Sequence, residues 1–315
     1  MISLYPAIAT FLIVTAVIPL QTRLFKAYNL VQPIRKELPA DQQKKRGTPL
    51  MGGLVFLIGA IATLCVEAST DVRLLTTTFF LFALIGFMDD AKKAHTKIDG
   101  ISAKTKMLLQ CCFTGGILYY LLHTGFITSH IPITRNIALD LPVALFIVAV
   151  GLIIVGSTNA INFTDGLDGL LSVVAIPTYF FFFVISQHEG VRLFCLMMIA
   201  CLLAFLIYNR HPAKLIMGDT GSMAIGGTLA LMAVIDHVVI LLPILFLVYF
   251  AEILSVIIQV SYFKRTGKRI FRMSPIHYHF SLKYGWDENT IVIVFGSVSW
   301  ICSLACLLYY YLLLR

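Results

Sequence analysis

Several groups of oxygen- and nitrogen-bearing side chains, most of them next to glycine, have the types and spacing to do chemistry. Asp89 and Asp90 follow Gly86-Phe87-Met88 and precede Lys92 and Lys93. Neighbouring carboxylates repel each other and both stay ionised cheaply only beside a cation. Successive helical residues point about 100° apart, so the two acids can serve different partners; the plainer reading is a solvated helix end neutralised by its own lysines. Asn159, Asn162, Asp165 and Asp168 recur at every third residue and end in Gly169. Each pair is adjacent on a helix, although the set drifts through about 180°. Gly166 and Gly169 let the chain turn and gather them. An Asx turn accounts for one Asn and one Asp, hardly for all four. With no Lys or Arg in 159–169, these carboxylates need a cation from elsewhere.

Asp219 lies in Gly218-Asp219-Thr220-Gly221-Ser222 at the head of an apolar run. Flanking glycines allow a close backbone approach to a bound group, and a helix N-terminus favours anions; a simple N-cap explains the same Asp equally well. Lys264, Arg265, Lys268, Arg269 and Arg272 come before His277 and His279. The basic residues suit an anionic lipid or a polyphosphate, or a solvated anchor at a membrane surface. Two residues apart, the histidines share a face on a strand or loop, but one such pair without nearby Cys is weak support for zinc. Hard oxygen donors in this number suit Mg²⁺ holding phosphates better than zinc or iron. The combination implies phosphoryl chemistry on a lipid.

The elements that must position these groups are membrane helices. The 315 residues are 59% hydrophobic and 13% charged, with a mean hydropathy of +0.89, and that charge content is about half of what a soluble chain carries. Apolar runs fall at about 2–20, 50–68, 73–88, 107–123, 141–158, 170–187, 191–208, 221–236, 238–262 and 290–313, each near the length that a bilayer requires. The runs at 73–88 and 221–236 are short, so eight or nine spans stay open beside ten. Continuous runs exclude a β-barrel, and the reading is an all-α polytopic bundle forming one membrane domain over 1–315. The first run lacks a preceding basic stretch and a following A-x-A site, so it reads as a retained helix. All seven cysteines fall in apolar runs without a CxxC pair and read as small core hydrophobes. Twenty of the 24 Lys and Arg lie in loops after odd-numbered runs, which places those loops in the cytoplasm and both termini outside. The net charge of +8 is spread over these loops rather than gathered in a stripe, so no nucleic-acid partner is expected. A transporter or flippase needs polar groups through the membrane depth, and Glu252 is the clear mid-span charge; it is expected to face a cavity or a partner helix. A structural scaffold has no need of Asp, Asn and His on one face.

The strings RGTPLMGG (46–53), FMDD (87–90), NAINFTDGLDGL (159–170), GDTGS (218–222), GKRIFRMSPIHYHF (267–280) and KYGW (283–286) resemble those of the polyprenyl-phosphate N-acetylhexosamine-1-phosphate transferases, most closely the phospho-N-acetylmuramoyl-pentapeptide transferase branch. The resemblance covers nearly the whole chain. It implies ten transmembrane helices, often paired in a homodimer, with an active-site cleft on the cytoplasmic side of a bacterial inner membrane. The implied reaction belongs to peptidoglycan synthesis: UDP-N-acetylmuramoyl-pentapeptide and undecaprenyl phosphate give lipid I and UMP, with Mg²⁺. By motif, Asp89 and Asp90 match the aspartate pair, and Asp219 the metal-ligand aspartate, with Asp165 as its expected helper. His277 and His279 match the outer histidines of an HHH motif. Asn159, Asn162, Asp165 and Asp168 match the segment lining the nucleotide and metal region, and Lys104 or Lys106 resembles the lysine near the UDP. Tyr278 and Ser281 stand where the family reads His and Glu in HHHFE, and Ile216 where many members carry an aromatic residue. A sibling activity that transfers N-acetylglucosamine-1-phosphate shares the aspartates.

Overall fold

The computed structural model describes residues 3–32, 47–96 and 100–315. Arg46 of the first motif, the basic residues of 35–45 and Lys97 lie outside the described residues. Twelve α-helices, numbered here in chain order, make up most of the remainder. They are α1 (Tyr5–Ala27), α2 (Phe56–Val66, entered through a 3₁₀ turn at Gly52–Val55), α3 (Thr70–Thr96), α4 (Ala103–His123), α5 (Val143–Thr164) and α6 (Leu170–Ile185). They continue as α7 (Glu189–Asn209), α8 (Gly218–Ile235), α9 (Leu242–Leu245), α10 (Leu247–Thr266), α11 (Ile276–Tyr284) and α12 (Glu288–Tyr309).

Each of the ten apolar runs carries helix. Seven helices among the described residues are long and apolar enough to cross a membrane: α1, α3, α5, α7, α8, α10 and α12 with its terminal π turn. Two more are apolar but shorter, Gly52–Val66 and Leu170–Ile185. The remaining run lies on α4, where Gln110 and Thr114 interrupt the apolar sequence. The structure corrects the expectation in three places. A small antiparallel hairpin, β1 (His130–Thr134) with β2 (Ile137–Asp140), joins α4 to α5 and pairs Ile131 with Leu139; its two-residue turn at Arg135-Asn136 suits a tight hairpin connection. The run at 238–262 is broken at Phe246 into α9 and α10, and Pro243 sits in the first turn of α9, where a missing N–H is no loss. Finally, α3 and α5 run on past 88 and 158, to Thr96 and Thr164, so the acid pair and the two asparagines lie inside helices. The Asp89–Lys93 ion pair at i,i+4 spans the extension of α3.

At the centre stands α8, buried along nearly its whole length. Lipid tails are as apolar as leucine, so close packing rather than hydrophobic burial must hold membrane helices together. The small residues of α8 and its neighbours supply that closeness. A Cβ on Gly227 would lie 2.7 Å from the Phe82 ring of α3, and one on Gly226 would lie 2.7 Å from the Thr158 Cα of α5. Nearest the acids, a Cβ on Gly86 would come within 2.1 Å of the Asp219 carbonyl oxygen. These crossings bring the polar ends of α3, α5 and α8 to one place. Large apolar side chains such as Leu12, Leu152, Ile257 and Ile301 line the outer surface.

Because backbone blocks the Gly86 position, Gly86→Ala should lower stability by roughly 1–3 kcal/mol through overpacking. Gly115, with open space where its Cβ would be, should tolerate Ala at no cost or with a small gain in helix propensity. Thermal unfolding in detergent checks the pair: equal melting temperatures for the two variants would contradict the close crossing.

Candidate active site

The site is organised by the way α8 begins. Gly218 adopts φ +76°, and Asp90 Oδ2 stands 2.5 Å from where its Cβ would be. The first N–H groups of a helix have no intrahelical partner, and α8 has no side-chain cap of its own. Asp90 reaches across from α3 to take them: Oδ1 accepts from the Asp219 N–H at 3.1 Å, and Oδ2 accepts from the Thr220 N–H at 2.9 Å and the Thr220 hydroxyl at 2.7 Å. Asp90 is fully buried. The capping acid is therefore Asp90, which leaves the Asp219 side chain free for other partners.

Asp219 Oδ2 is bonded to Lys106 and lies 3.2 Å from Lys93 Nζ, while its Oδ1 accepts from Asn162 Nδ2 at 3.0 Å. Asn162 also donates to Ser222 Oγ at 2.8 Å, which holds its amide in register with α8. Asp89 pairs with Lys93 at 2.6 Å and accepts from the Ile101 N–H at 2.9 Å. Asp89, Asp90 and Asp219 each present an oxygen within 4.8 Å of the others. Three carboxylates facing two ammonium groups leave a surplus of negative charge in a largely buried place. Hard oxygen donors at this spacing fit a divalent ion such as Mg²⁺, and Lys93 and Lys106 are positioned to meet the oxygens of a phosphate.

The other expected residues fall at varying distances from this centre. Lys104 is exposed on the first turn of α4, so of the two lysines it is Lys106 that reaches the acids. Asn159 donates to Gln110 Oε1 at 2.8 Å and to the Val155 carbonyl at 2.8 Å, tying α5 to α4. Asp165 Oδ2 accepts from the Gly218 N–H at 3.2 Å; it braces the entry to α8 and stands outside the three-carboxylate group. Asp168 turns away to His211 Nδ1 at 3.2 Å and the Ala213 N–H at 2.9 Å, and with His211 and Glu288 it makes a second close group.

The two histidines do not share a face, because 276–284 is helical rather than extended and residues two apart diverge by about 200°. His277 is fully buried, with Nδ1 3.0 Å from Glu252 Oε2, and the Cε1–Nε2 edge of its ring packs on Gly166. That pairing accounts for the carboxylate in the middle of an apolar run. His279 Nδ1 accepts from the Arg272 N–H at 3.0 Å. Tyr278 donates to the Gly166 carbonyl at 3.4 Å. Burial, with Glu288, Glu252 and Asp168 nearby, pushes its phenol up, so it remains a neutral donor. The sequence did not point to Thr220, Gln110 or Glu288 as partners. Gln110 did carry a signal, being a lone amide inside an apolar run.

Asp90→Asn puts an amide where an N–H needs an acceptor, and the melting temperature should fall by an amount equivalent to about 1–3 kcal/mol. Thr220→Val should lose about 0.5–1.5 kcal/mol, and Lys104→Met should change nothing. An unchanged melt for Asp90→Asn would remove its capping role.

Comparison with known proteins agrees with this architecture. Residues 72–237, just over half of the chain, match the sequence model of Glycosyl transferase family 4. A phospho-N-acetylmuramoyl-pentapeptide-transferase of Clostridium acetobutylicum is 40% identical over 313 residues, covering 97% of this chain and 98% of its own. Its namesake from Staphylococcus carnosus is 41% identical over 317 residues, covering 95% and 96%. That from Carboxydothermus hydrogenoformans is 41% identical over 289 residues, covering 87% and 88%. The matched region holds Asp89, Asp90, Lys93, Lys106, Asn162 and Asp219 together, and the chain belongs to glycosyl transferase family 4, among the phospho-N-acetylmuramoyl-pentapeptide-transferases.

Proposed function

We propose that the chain moves phospho-N-acetylmuramoyl-pentapeptide from its UDP-linked donor to undecaprenyl phosphate, releasing UMP and forming lipid I for peptidoglycan synthesis. The observation that carries this is the group of Asp89, Asp90 and Asp219, neutralised by Lys93 and Lys106, at one end of an apolar bundle. Such a place admits a water-soluble diphosphate from one side and a bilayer-resident phosphate from the other. The reading includes ten spans with both termini outside and the acids facing the cytoplasm of a bacterial inner membrane, supported by the distribution of Lys and Arg. It also includes a homodimer.

Phosphoryl transfer asks the protein chiefly for alignment and charge neutralisation. Asp219, with Asp165 on the adjoining turn, would hold Mg²⁺, and the ion would supply charge neutralisation for the donor diphosphate. Lys106 and Lys93 bind diphosphate oxygens and stabilise the charge that builds on departing UMP. Asp90 is committed to the N-terminus of α8, so the task of taking a proton from the lipid phosphate, or of aligning it, falls to Asp89. An oxygen of the acceptor phosphate then forms a bond to the sugar-linked phosphorus as the bond to the UMP oxygen breaks. Asn162 keeps Asp219 oriented throughout. His277 supports the Gly166 turn from below, and His279 is left as the more accessible group for phosphate or sugar oxygens.

Purified protein should release UMP from UDP-N-acetylmuramoyl-pentapeptide only when undecaprenyl phosphate is present. Release should cease with EDTA and return with Mg²⁺, and Asp219→Asn should abolish it while the protein still folds. UMP release from UDP-N-acetylglucosamine instead would reassign the donor, and none from either donor would return the chain to a transport role. For the base, Asp89→Asn should lose the acidic limb of the pH–rate profile; a profile of unchanged shape would remove that assignment.

A further inference from the structure

The end of α10 carries a feature that the transferase chemistry leaves unused. Past Gly267, in the left-handed region at φ +67°, the chain folds back on the helix it has just left. Gln259 Oε1 fixes the return by accepting from the Ile270 N–H at 3.2 Å and the Phe271 N–H at 2.8 Å, and this residue is only 8% exposed. Arg269 Nη1 donates to the Arg272 carbonyl at 3.3 Å, stiffening the loop. Between helix and loop lies a groove of about 340 Å³ lined by Val260, Phe263 and Met273 together with Gln259, Lys264 and Arg269.

Charge in this region is one-sided. From 253 to 286 there are six Lys or Arg and no Asp or Glu, and among the described residues none of Lys264, Arg265, Lys268, Arg269 and Arg272 forms a salt bridge. Lys264 and Arg265 favourably meet the C-terminal end of the α10 dipole. That accounts for two cations on the helix, but not for Arg269 across the groove or for apolar walls open to the outside, where Val260 and Phe263 are 44% and 47% exposed. Cations beside apolar side chains in one groove, at the level where a candidate span ends, match a molecule with a phosphate at its head and hydrocarbon beneath.

We propose that this groove binds the phosphodiester headgroup of an anionic membrane phospholipid, with Lys264 and Arg269 on the phosphate and the upper acyl chain against Val260, Phe263 and Met273. The occupant is a bulk bilayer lipid, because the cations sit at the membrane surface, where basic residues attract anionic headgroups, and none of the groove residues belongs to the carboxylate group.

Native mass spectrometry of the full-length protein, incubated with equal amounts of phosphatidylglycerol and phosphatidylcholine, tests the proposal without reference to turnover. Wild type should retain phosphatidylglycerol about tenfold over phosphatidylcholine, and the preference should weaken as salt rises. Lys264→Gln with Arg269→Gln should abolish it at an unchanged melting temperature, whereas Arg23→Gln with Lys26→Gln at the end of α1 should keep it. Should the Lys264/Arg269 pair unfold the protein, Phe263→Ser should reduce retention of both lipids and serve in its place. Equal retention of the two lipids by wild type, or an intact preference in the Lys264/Arg269 variant, overturns the proposal. Displacement of phosphatidylglycerol by equimolar undecaprenyl phosphate also overturns it, by giving the groove to the acceptor.

Discussion

A helix that begins inside an apolar bundle presents N–H groups that water cannot satisfy, and α8 begins in that position. Asp90, carried on a different helix, accepts from two of those N–H groups and from the hydroxyl of Thr220. The rest of the site depends on this interaction. It pins α3 to α8 at the level where Gly86 lets the two backbones meet, and so fixes where Asp89 and Asp219 stand relative to each other. A buried carboxylate left without those donors would be costly. The acid and the helix start therefore hold each other in place.

From that anchor the electrostatics follow. Asp219 and Asp89 are held close by a framework that does not bend to their repulsion, and Lys93 and Lys106 answer the charge. Asn162 and Ser222 set the rotamer of Asp219 from α5 and α8. Farther out, Asp165 braces the Gly218 N–H, and His277 with Glu252 lies under the Gly166 turn. A strongly charged centre thus has hydrogen-bonded groups behind it, and Glu252 Oε1 and His277 Nε2 are the two buried atoms there with no partner among the described residues. Pre-organised polar groups of this kind stabilise charge that develops during reaction.

Much of this was legible in the sequence, and the reasons for success and failure are physical. The ten apolar runs report helices because a membrane segment must satisfy its backbone internally, and each run does carry helix. Helix ends were less legible: Asp89 and Asn159 look like loop residues by polarity, yet each continues its helix through side chains tied to Lys93 or Gln110. The break at Phe246 was invisible because the residues on both sides of it, Ile244-Leu245 and Leu247-Val248, are apolar. In the site, residue type identified the acids, but spacing could not say which carboxylate would cap α8, because Asp90 and Asp219 are 129 residues apart in sequence. The histidines share a face only in an extended chain, and spacing alone does not reveal that a helix forms there instead. Asp168 left the expected group for His211 and Glu288, and nothing local in the sequence signals that pairing.

The central claim is that Asp219, set beside Asp89 by Asp90, holds one divalent ion. Crystals of the protein soaked with Mn²⁺ and UMP, measured at the manganese absorption edge, address it directly. The account predicts an anomalous peak bonded to Asp219, within the Asp89–Asp219 group, that vanishes in Asp219→Asn. A peak on Asp168, His211 and Glu288 instead, with the Asp89–Asp219 group empty, would contradict it.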